Sequence, residues 1–314
     1  MSATIGPPAR QTFAYKVVDG HVIEADVMGA EPGQRKPCVL WIHGGGLIFG
    51  SRTISPRATF ARILVDRGFV VVSIDHRLAP EARLPVILED VADAWHWLHR
   101  IGGESIGVDT SCVAIAGVSA GAYLSLLNGY MLEPRPLAVA SFCGYGDITA
   151  PWEARPSAHY RTMDLVTREE AFAALATPSE ASASSVDRST FYLYCRQQGL
   201  WLQEVTGHDP QKDDAWLGQY CPIRNIDHTY PPTVLVHGTA DSDVPHEESE
   251  KLVARLAAVG VAHRFISLPG VGHGFAGAEL ESVMAAESAV ADFLASELRH
   301  FSYLSARRAS IRAG

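Results

Sequence analysis

Short apolar runs alternate along this chain with segments whose apolar residues recur every three or four positions. Phe13 to Val17 and Val22 to Val27 flank Asp19-Gly20, a pair suited to a two-residue hairpin turn. The chain therefore opens with an antiparallel pair of strands. Cys38 to Ile42 is a short apolar run that ends at His43-Gly44-Gly45-Gly46. Ser55-Pro56 reads as the cap and first turn of a helix, with Phe60, Ile63 and Leu64 on its apolar face and Gly68 at its end. Phe69 to Ile74 is the next buried strand. Pro85 opens a second helix, where Val91, Ala94, Trp95 and Leu98 keep helical spacing up to Gly102. Cys112 to Ala116 is a strand, followed by a helix from about Gly121 to Met131. Leu137 to Phe142, Thr233 to Val236 and Arg264 to Leu268 are further strands. Leu252 to Ala258 lies in a helix closed by Gly260, and a last helix covers about Glu279 to Leu298. Apolar runs alternating with amphipathic helices predict an α/β fold: a mostly parallel central sheet with helices on both faces. Such sheets bind ligands at the carboxyl ends of their strands.

One stretch breaks the rhythm. From Pro151 to about Tyr230 no buried strand is evident, and aromatic residues stand among polar and small ones. A structureless loop of that length does not suit a compact domain. The organisation expected is a core of residues 1–150 and 231–300, a helical cap insertion of residues 151–230, and a frayed, solvated tail of residues 301–314 that carries Arg307, Arg308 and Arg312.

Composition narrows the function more than the fold. The 314 residues are 47% hydrophobic, enough for a large core, and the formal net charge of −9 disfavours a nucleic-acid or anionic-membrane partner. No apolar run approaches the roughly 20 residues that span a bilayer. Met1 to Arg10 lacks the apolar segment of a secretory signal. Five scattered cysteines, with neither CxxC nor zinc spacing, read as reduced thiols of a cytoplasmic protein. A homodimer is left open.

Three local patterns carry chemistry. Gly117-Val118-Ser119-Ala120-Gly121 follows a strand and opens a helix. A serine on such a sharp turn projects its hydroxyl, and the flanking glycines let the backbone approach closely. The alternative is a packing turn whose serine only caps the helix. His43-Gly44-Gly45-Gly46 frees backbone N–H groups to face a developing oxyanion, the form this loop takes in lipases and esterases. A phosphate cradle is the lesser reading, because no G-K-S/T follows. His43 itself is expected to pin the loop by hydrogen bonding. The third pattern is a pair of loops after the last two strands: His237-Gly238-Thr239-Ala240-Asp241-Ser242-Asp243-Val244-Pro245, and Pro269 to Phe275 with His273. An acid and a histidine on successive loops at one sheet edge can meet the serine, in the chain order serine, acid, histidine. The residues leave Asp241 and Asp243 both open as the acid. Two positions apart on a loop, their side chains should diverge, one toward His273 and the other toward solvent or local backbone. His237, Asp241, Asp243 and His246 also look like a metal cluster, but no ligand pair there has known metal spacing on a rigid element.

On these residues the sequence resembles the hormone-sensitive-lipase-like branch of the α/β-hydrolase esterases. His43 to Gly46 matches its oxyanion motif. Asp75-His76-Arg77-Leu78-Ala79-Pro80-Glu81 resembles its D-Y-R-L-A-P-E segment, with His76 in place of the usual tyrosine. His237-Gly238, Asp241 and Val244-Pro245 match its acid loop. The resemblance covers residues 36–130 and 231–298. It implies Asp241 rather than Asp243 as the acid, and it implies that the N–H groups of Gly45, Gly46 and Ala120 hold the oxyanion. His76 either alters packing behind the site or adds a polar group to it. The function expected is hydrolysis of a small to medium, partly apolar carboxylic ester by Ser119, His273 and Asp241 through an acyl-enzyme, with neither cofactor nor metal. Amide hydrolysis, lyase or acyl-transfer chemistry on the same residues stays open, and so, with less support, does a non-catalytic ligand-binding receptor. Tyr145, Trp201 and Phe275 are candidates for contact with the substrate.

Overall fold

The computed structural model describes residues 8–31, 33–53, 59–175 and 188–313, with side chains up to residue 299. Eight strands form one sheet in the order β1-β2-β4-β3-β5-β6-β7-β8. They are β1 (Arg10–Val18), β2 (His21–Met28), β3 (Lys36–Ile42), β4 (Val70–Ile74), β5 (Val108–Val118), β6 (Val139–Phe142), β7 (Thr233–Gly238) and β8 (His263–Leu268). The pairs β1–β2 and β2–β4 are antiparallel, and every pair from β4 through β8 is parallel. The hairpin turns where the sequence requires it. Val18 pairs with His21, and the two residues between them, Asp19 and Gly20, both take positive φ, at 50° and 82°.

The central strands read as unbroken apolar runs because both their faces are covered. Alternation along each strand then sorts its residues between two cores. Leu40, Ile42, Val70, Val72 and Ile115 join one cluster, while Val39, Val71, Ala114 and Ala116 join the other. Helices α2 (Leu84–Ser105), α3 (Ala120–Met131) and α10 (Glu247–Ala258) cover the first face through Trp95, Leu98, Leu124, Leu127, Leu252 and Leu256. Helices α1 (Thr59–Asp66) and α11 (Leu280–Ala313) cover the second through Phe60, Leu64, Val290 and Leu294. The Ser55-Pro56 start expected for α1 lies outside the described residues.

Between β6 and β7 the described residues hold helices and no strand: α4 (Pro151–Ala154), a 3₁₀ turn at Tyr160–Thr162, α5 (Arg168–Ala173), α6 (Ser189–Gln198), α7 (Trp201–Thr206), α8 (Asp214–Gly218) and α9 (Pro222–Asn225). The C-terminal end differs from the sequence expectation. Where a frayed tail is read from residue 301, the backbone of α11 stays helical to Ala313. That stretch holds three Ala and three Arg and has no Gly or Pro before Gly314, so nothing in it stops a helix. No helix among the described residues is long and apolar enough to cross a membrane.

Parallel register brings the loops that follow β3, β5, β6, β7 and β8 to one edge. Ile42 pairs with Gly117, Val118 with Phe142 and Gly238 with Leu268, so these strands end together. Every motif singled out above leaves the sheet at that edge.

Candidate active site

Ser119 sits between β5 and α3 with φ 55° and ψ −122°, a conformation that costs a non-glycine residue about 1–3 kcal/mol. The surroundings hold it there. Its N–H donates to the Phe142 carbonyl at 2.8 Å, and its own carbonyl accepts from the Tyr123 N–H at 3.0 Å. The turn needs glycine at position 121, where a Cβ would lie 2.2 Å from the Ile42 carbonyl oxygen. Ala120, the first residue of α3, is buried directly behind the serine.

The serine hydroxyl faces His273, with Oγ and Nε2 2.9 Å apart. The opposite ring nitrogen, Nδ1, lies 2.7 Å from Asp241 Oδ2. With the proton on Nδ1, Nε2 presents its lone pair to the serine. Asp241 is surrounded by donors. Its Oδ2 also faces Nε2 of the fully buried His237 at 3.2 Å, and its Oδ1 accepts the backbone N–H groups of Asp243 and Val244, each at 2.9 Å. Burial alone would raise its pKa. The bonds from His237, His273 and the loop backbone outweigh burial and hold it well below the usual carboxylate range. His237 is fixed in turn by Ser249 Oγ, 2.7 Å from its Nδ1. Burial works against a charge on His273, but the neighbouring Cys143 sulfur, the Asp241 hydrogen bond and Asp243 push its pKa above the ordinary imidazole value.

The divergence expected of Asp241 and Asp243 is not what the fold produces. Asp243 turns toward the same histidine, with its Oδ2 3.6 Å from His273 Nε2. The insertion draws it there. The Tyr192 hydroxyl donates to Asp243 Oδ1 at 2.8 Å, and the Arg196 guanidinium donates to its backbone carbonyl at 3.0 Å. Arg196 also makes a close buried ion pair with Glu153, whose carboxyl burial raises to about 8 against the pull of that guanidinium.

The glycine loop after β3 lies opposite. His43 donates from Nδ1 to the Gly44 carbonyl at 2.7 Å and stacks on His76, with ring centroids 4.4 Å apart. Both rings are buried, so His76 changes the packing behind the site and does not enter it. Burial pushes His43 down to about 3, which keeps it neutral. A Cβ on Gly46, which has φ 59°, would lie 2.3 Å from the Tyr192 ring. Two residues of the insertion fasten the loop. Trp201 Nε1 donates to the Gly46 carbonyl at 2.7 Å, and the buried Arg188 donates from Nε to the Ile48 carbonyl at 2.8 Å.

These groups border one cavity of about 480 Å³, within the size range of small-ligand sites. Ser119, His273, Gly45 and Gly46 line it, together with Phe49, Tyr160, Met163, Tyr192, Leu193 and Asp243. None of the three aromatic candidates for substrate contact does. Tyr145 is buried and stacked on Tyr123 at 4.8 Å. Trp201 is buried and spends its N–H on the loop. Phe275 packs edge-on against Phe142 at 6.0 Å. Phe49 follows the glycine motif closely enough to be suspected from sequence, but nothing local marks Tyr160 or Tyr192.

The four loop residues weighed for a metal do not converge. His237 is committed to Asp241 and Ser249, while His246 turns to Ser267 Oγ at 2.9 Å. Among the described residues the trio with ligand atoms near one another is Cys143, Asp241 and His273, within 4.8 Å. Its Asp241 oxygens are already taken by N–H donors. The five cysteines are free thiols, all buried.

Comparison with known proteins identifies the fold. A sequence profile described as alpha/beta hydrolase fold matches residues 39–277. The chain is 31% identical to the non-reducing polyketide synthase Preu6 of Preussia isomera, over 84% of this chain and 14% of the synthase. It is 29% identical to esterase LipC of Mycobacterium tuberculosis, over 78% of this chain and 54% of LipC. It thus spans about half of one relative and a small part of the other. A solved protein of unknown function from Staphylococcus aureus Mu50 superposes with a TM-score of 0.75 at 25% identity, covering 92% of this chain and 99% of that one. The chain belongs to the alpha/beta hydrolase fold family.

Proposed function

We propose that this protein is a serine hydrolase that cleaves small to medium carboxylic esters through an acyl-enzyme. The observation that carries the reading is the run of contacts from Ser119 Oγ to His273 Nε2 and from His273 Nδ1 to Asp241, opening on a largely apolar cavity. Ser119 Oγ attacks the ester carbonyl while its proton passes to His273 Nε2. Asp241 orients the imidazole and stabilises the imidazolium. The N–H groups of Gly45, Gly46 and Ala120 hold the negative oxygen of the tetrahedral intermediate. The intermediate collapses, and the alcohol departs with the proton from His273. Water then gives a proton to His273 and attacks the acyl carbonyl. Release of the acid returns the proton to Ser119. Residues 151–230 act as the cap, since Tyr160, Met163, Tyr192 and Leu193 wall the cavity. Its size favours acyl groups of a few carbons, and the likeness to esterase LipC agrees with ester chemistry.

Similarity to the Preu6 synthase supports a second reading, acyl transfer on the same residues. A fluorophosphonate probe tests the common step: it should label the wild-type protein at Ser119 and leave Ser119→Ala unlabelled. Labelling that survives the substitution removes the nucleophile. A panel of p-nitrophenyl esters and aryl amides, with and without an added alcohol acceptor, separates hydrolysis from transfer.

A further inference from the structure

The cavity wall is largely apolar and aromatic, with Ser119, Ser189, His273 and Asp243 as its polar side chains outside the tyrosines. Asp243 is the one acidic residue among its described lining residues, which include neither Lys nor Arg. The carboxylate is held in place from several sides. The Tyr192 hydroxyl reaches both oxygens, at 2.8 and 3.1 Å. Arg196 Nη2 lies 3.5 Å from Oδ1, and the Asp243 backbone is tied at its N–H to Asp241 and at its carbonyl to Arg196. Arg196 sits closer to Glu153 than to Asp243, so one guanidinium serves two carboxyl groups. A carboxylate has about four acceptor positions. Tyr192, Arg196 and Tyr160, whose side chain also bonds this carboxylate, take three of them, and Oδ2 stays turned toward His273 Nε2 at 3.6 Å.

That position matters for the leaving group. In the mechanism above, His273 Nε2 hands its proton to the departing alcohol oxygen. A carboxylate oxygen 3.6 Å from that nitrogen therefore borders the first few atoms of the alcohol. Carboxylate oxygens only accept hydrogen bonds. A hydroxyl or protonated amine two or three bonds from the ester oxygen would find a charge-assisted partner there. A plain hydrocarbon would strip water from Asp243 and return nothing.

We propose that Asp243 is a specificity-determining residue that selects esters whose alcohol carries a hydrogen-bond donor, hydroxyl or ammonium, close to the ester oxygen. The proposal rests on the serine-hydrolase reading of Ser119. Three butyrate esters of similar size test it: 2-(dimethylamino)ethyl, glyceryl and 3-methylbutyl. The first and last differ by little more than a protonated nitrogen in place of a CH. Each is measured as kcat/KM with the wild-type protein and with Asp243→Asn. Ratios are taken within each protein, so any change in His273 cancels.

The wild type should prefer the amine ester over the 3-methylbutyl ester by about tenfold or more, with the glyceryl ester between them. Asp243→Asn should lower the amine preference at least about fivefold and the glyceryl preference less, because an amide oxygen still accepts from a hydroxyl. Equal turnover of the three esters by the wild type overturns the proposal. So do ratios that survive Asp243→Asn, and so does a protein that takes the fluorophosphonate at Ser119 yet hydrolyses neither donor-bearing ester. Absence of both labelling and turnover instead removes the serine-hydrolase reading and this proposal with it.

Discussion

The indole N–H of Trp201 donates to the carbonyl oxygen of Gly46 at 2.7 Å, joining the insertion to the glycine loop. Trp201 is buried and does not line the cavity, so its reach into the reaction runs through the loop alone. Trp201→Phe keeps most of the packing and removes the donor. A loop that must hold N–H groups on a developing oxyanion tolerates little displacement. We expect kcat to fall about tenfold with KM nearly unchanged, and circular dichroism to show a folded protein. An unaltered kcat would separate Trp201 from the loop's function.

Asp241→Asn addresses the acid. The amide keeps the shape of the group but loses the charge and can present N–H where His237 and His273 present theirs. In a serine protease the corresponding change costs roughly 10⁴ in kcat. Here a loss of at least about two orders of magnitude is expected, with the protein still folded. Loss confined to KM would contradict the role given to Asp241.

The pH profile follows from the groups around His273. The ring must be neutral to accept the serine proton, so kcat/KM is high above its pKa and falls as pH drops through it. Burial lowers that pKa, and Cys143, Asp241 and Asp243 together raise it further than burial lowers it. The acid limb should therefore lie above the ordinary histidine value of about 6.5. Asp243→Asn removes one anion 3.6 Å from Nε2 and should move the limb toward lower pH. A limb that stays put would show that Asp243 carries no charge felt by His273.

Gly46→Ala probes the wall shared by the loop and the insertion. The new methyl would meet the Tyr192 ring at 2.3 Å, at a φ of 59° that disfavours any side chain. Destabilisation of about 1 kcal/mol or more is expected in denaturant unfolding, with at least a tenfold loss of kcat. Adding Tyr192→Ala should recover part of the stability, because it removes the clash but not the strained φ. If the single variant is as stable as wild type, the loop and Tyr192 are not in contact.

Much of this molecule is written locally. Unbroken apolar runs such as Cys38 to Ile42 identify strands buried on both faces, and Asp19-Gly20 fixes the first hairpin at the turn seen. Glycines around Ser119 and after His43 mark where the backbone must bend or approach closely, so the elements that position Ser119, Asp241 and His273 follow from short-range pattern. Chain order and strand ends then bring those three residues to one sheet edge. The lining of the cavity does not follow in this way. Tyr145 and Trp201 lie in the core while Tyr160 and Tyr192 face Ser119, although all four stand in or beside the same aromatic-rich insertion. Asp243 turns inward rather than to solvent because Tyr192 and Arg196, far away in sequence, bind it. A strand or a glycine turn is decided by neighbours a few residues away, which sequence displays. The direction of a side chain on a short helix or loop is decided by contacts tens to more than a hundred residues distant, and only the folded chain brings those partners together.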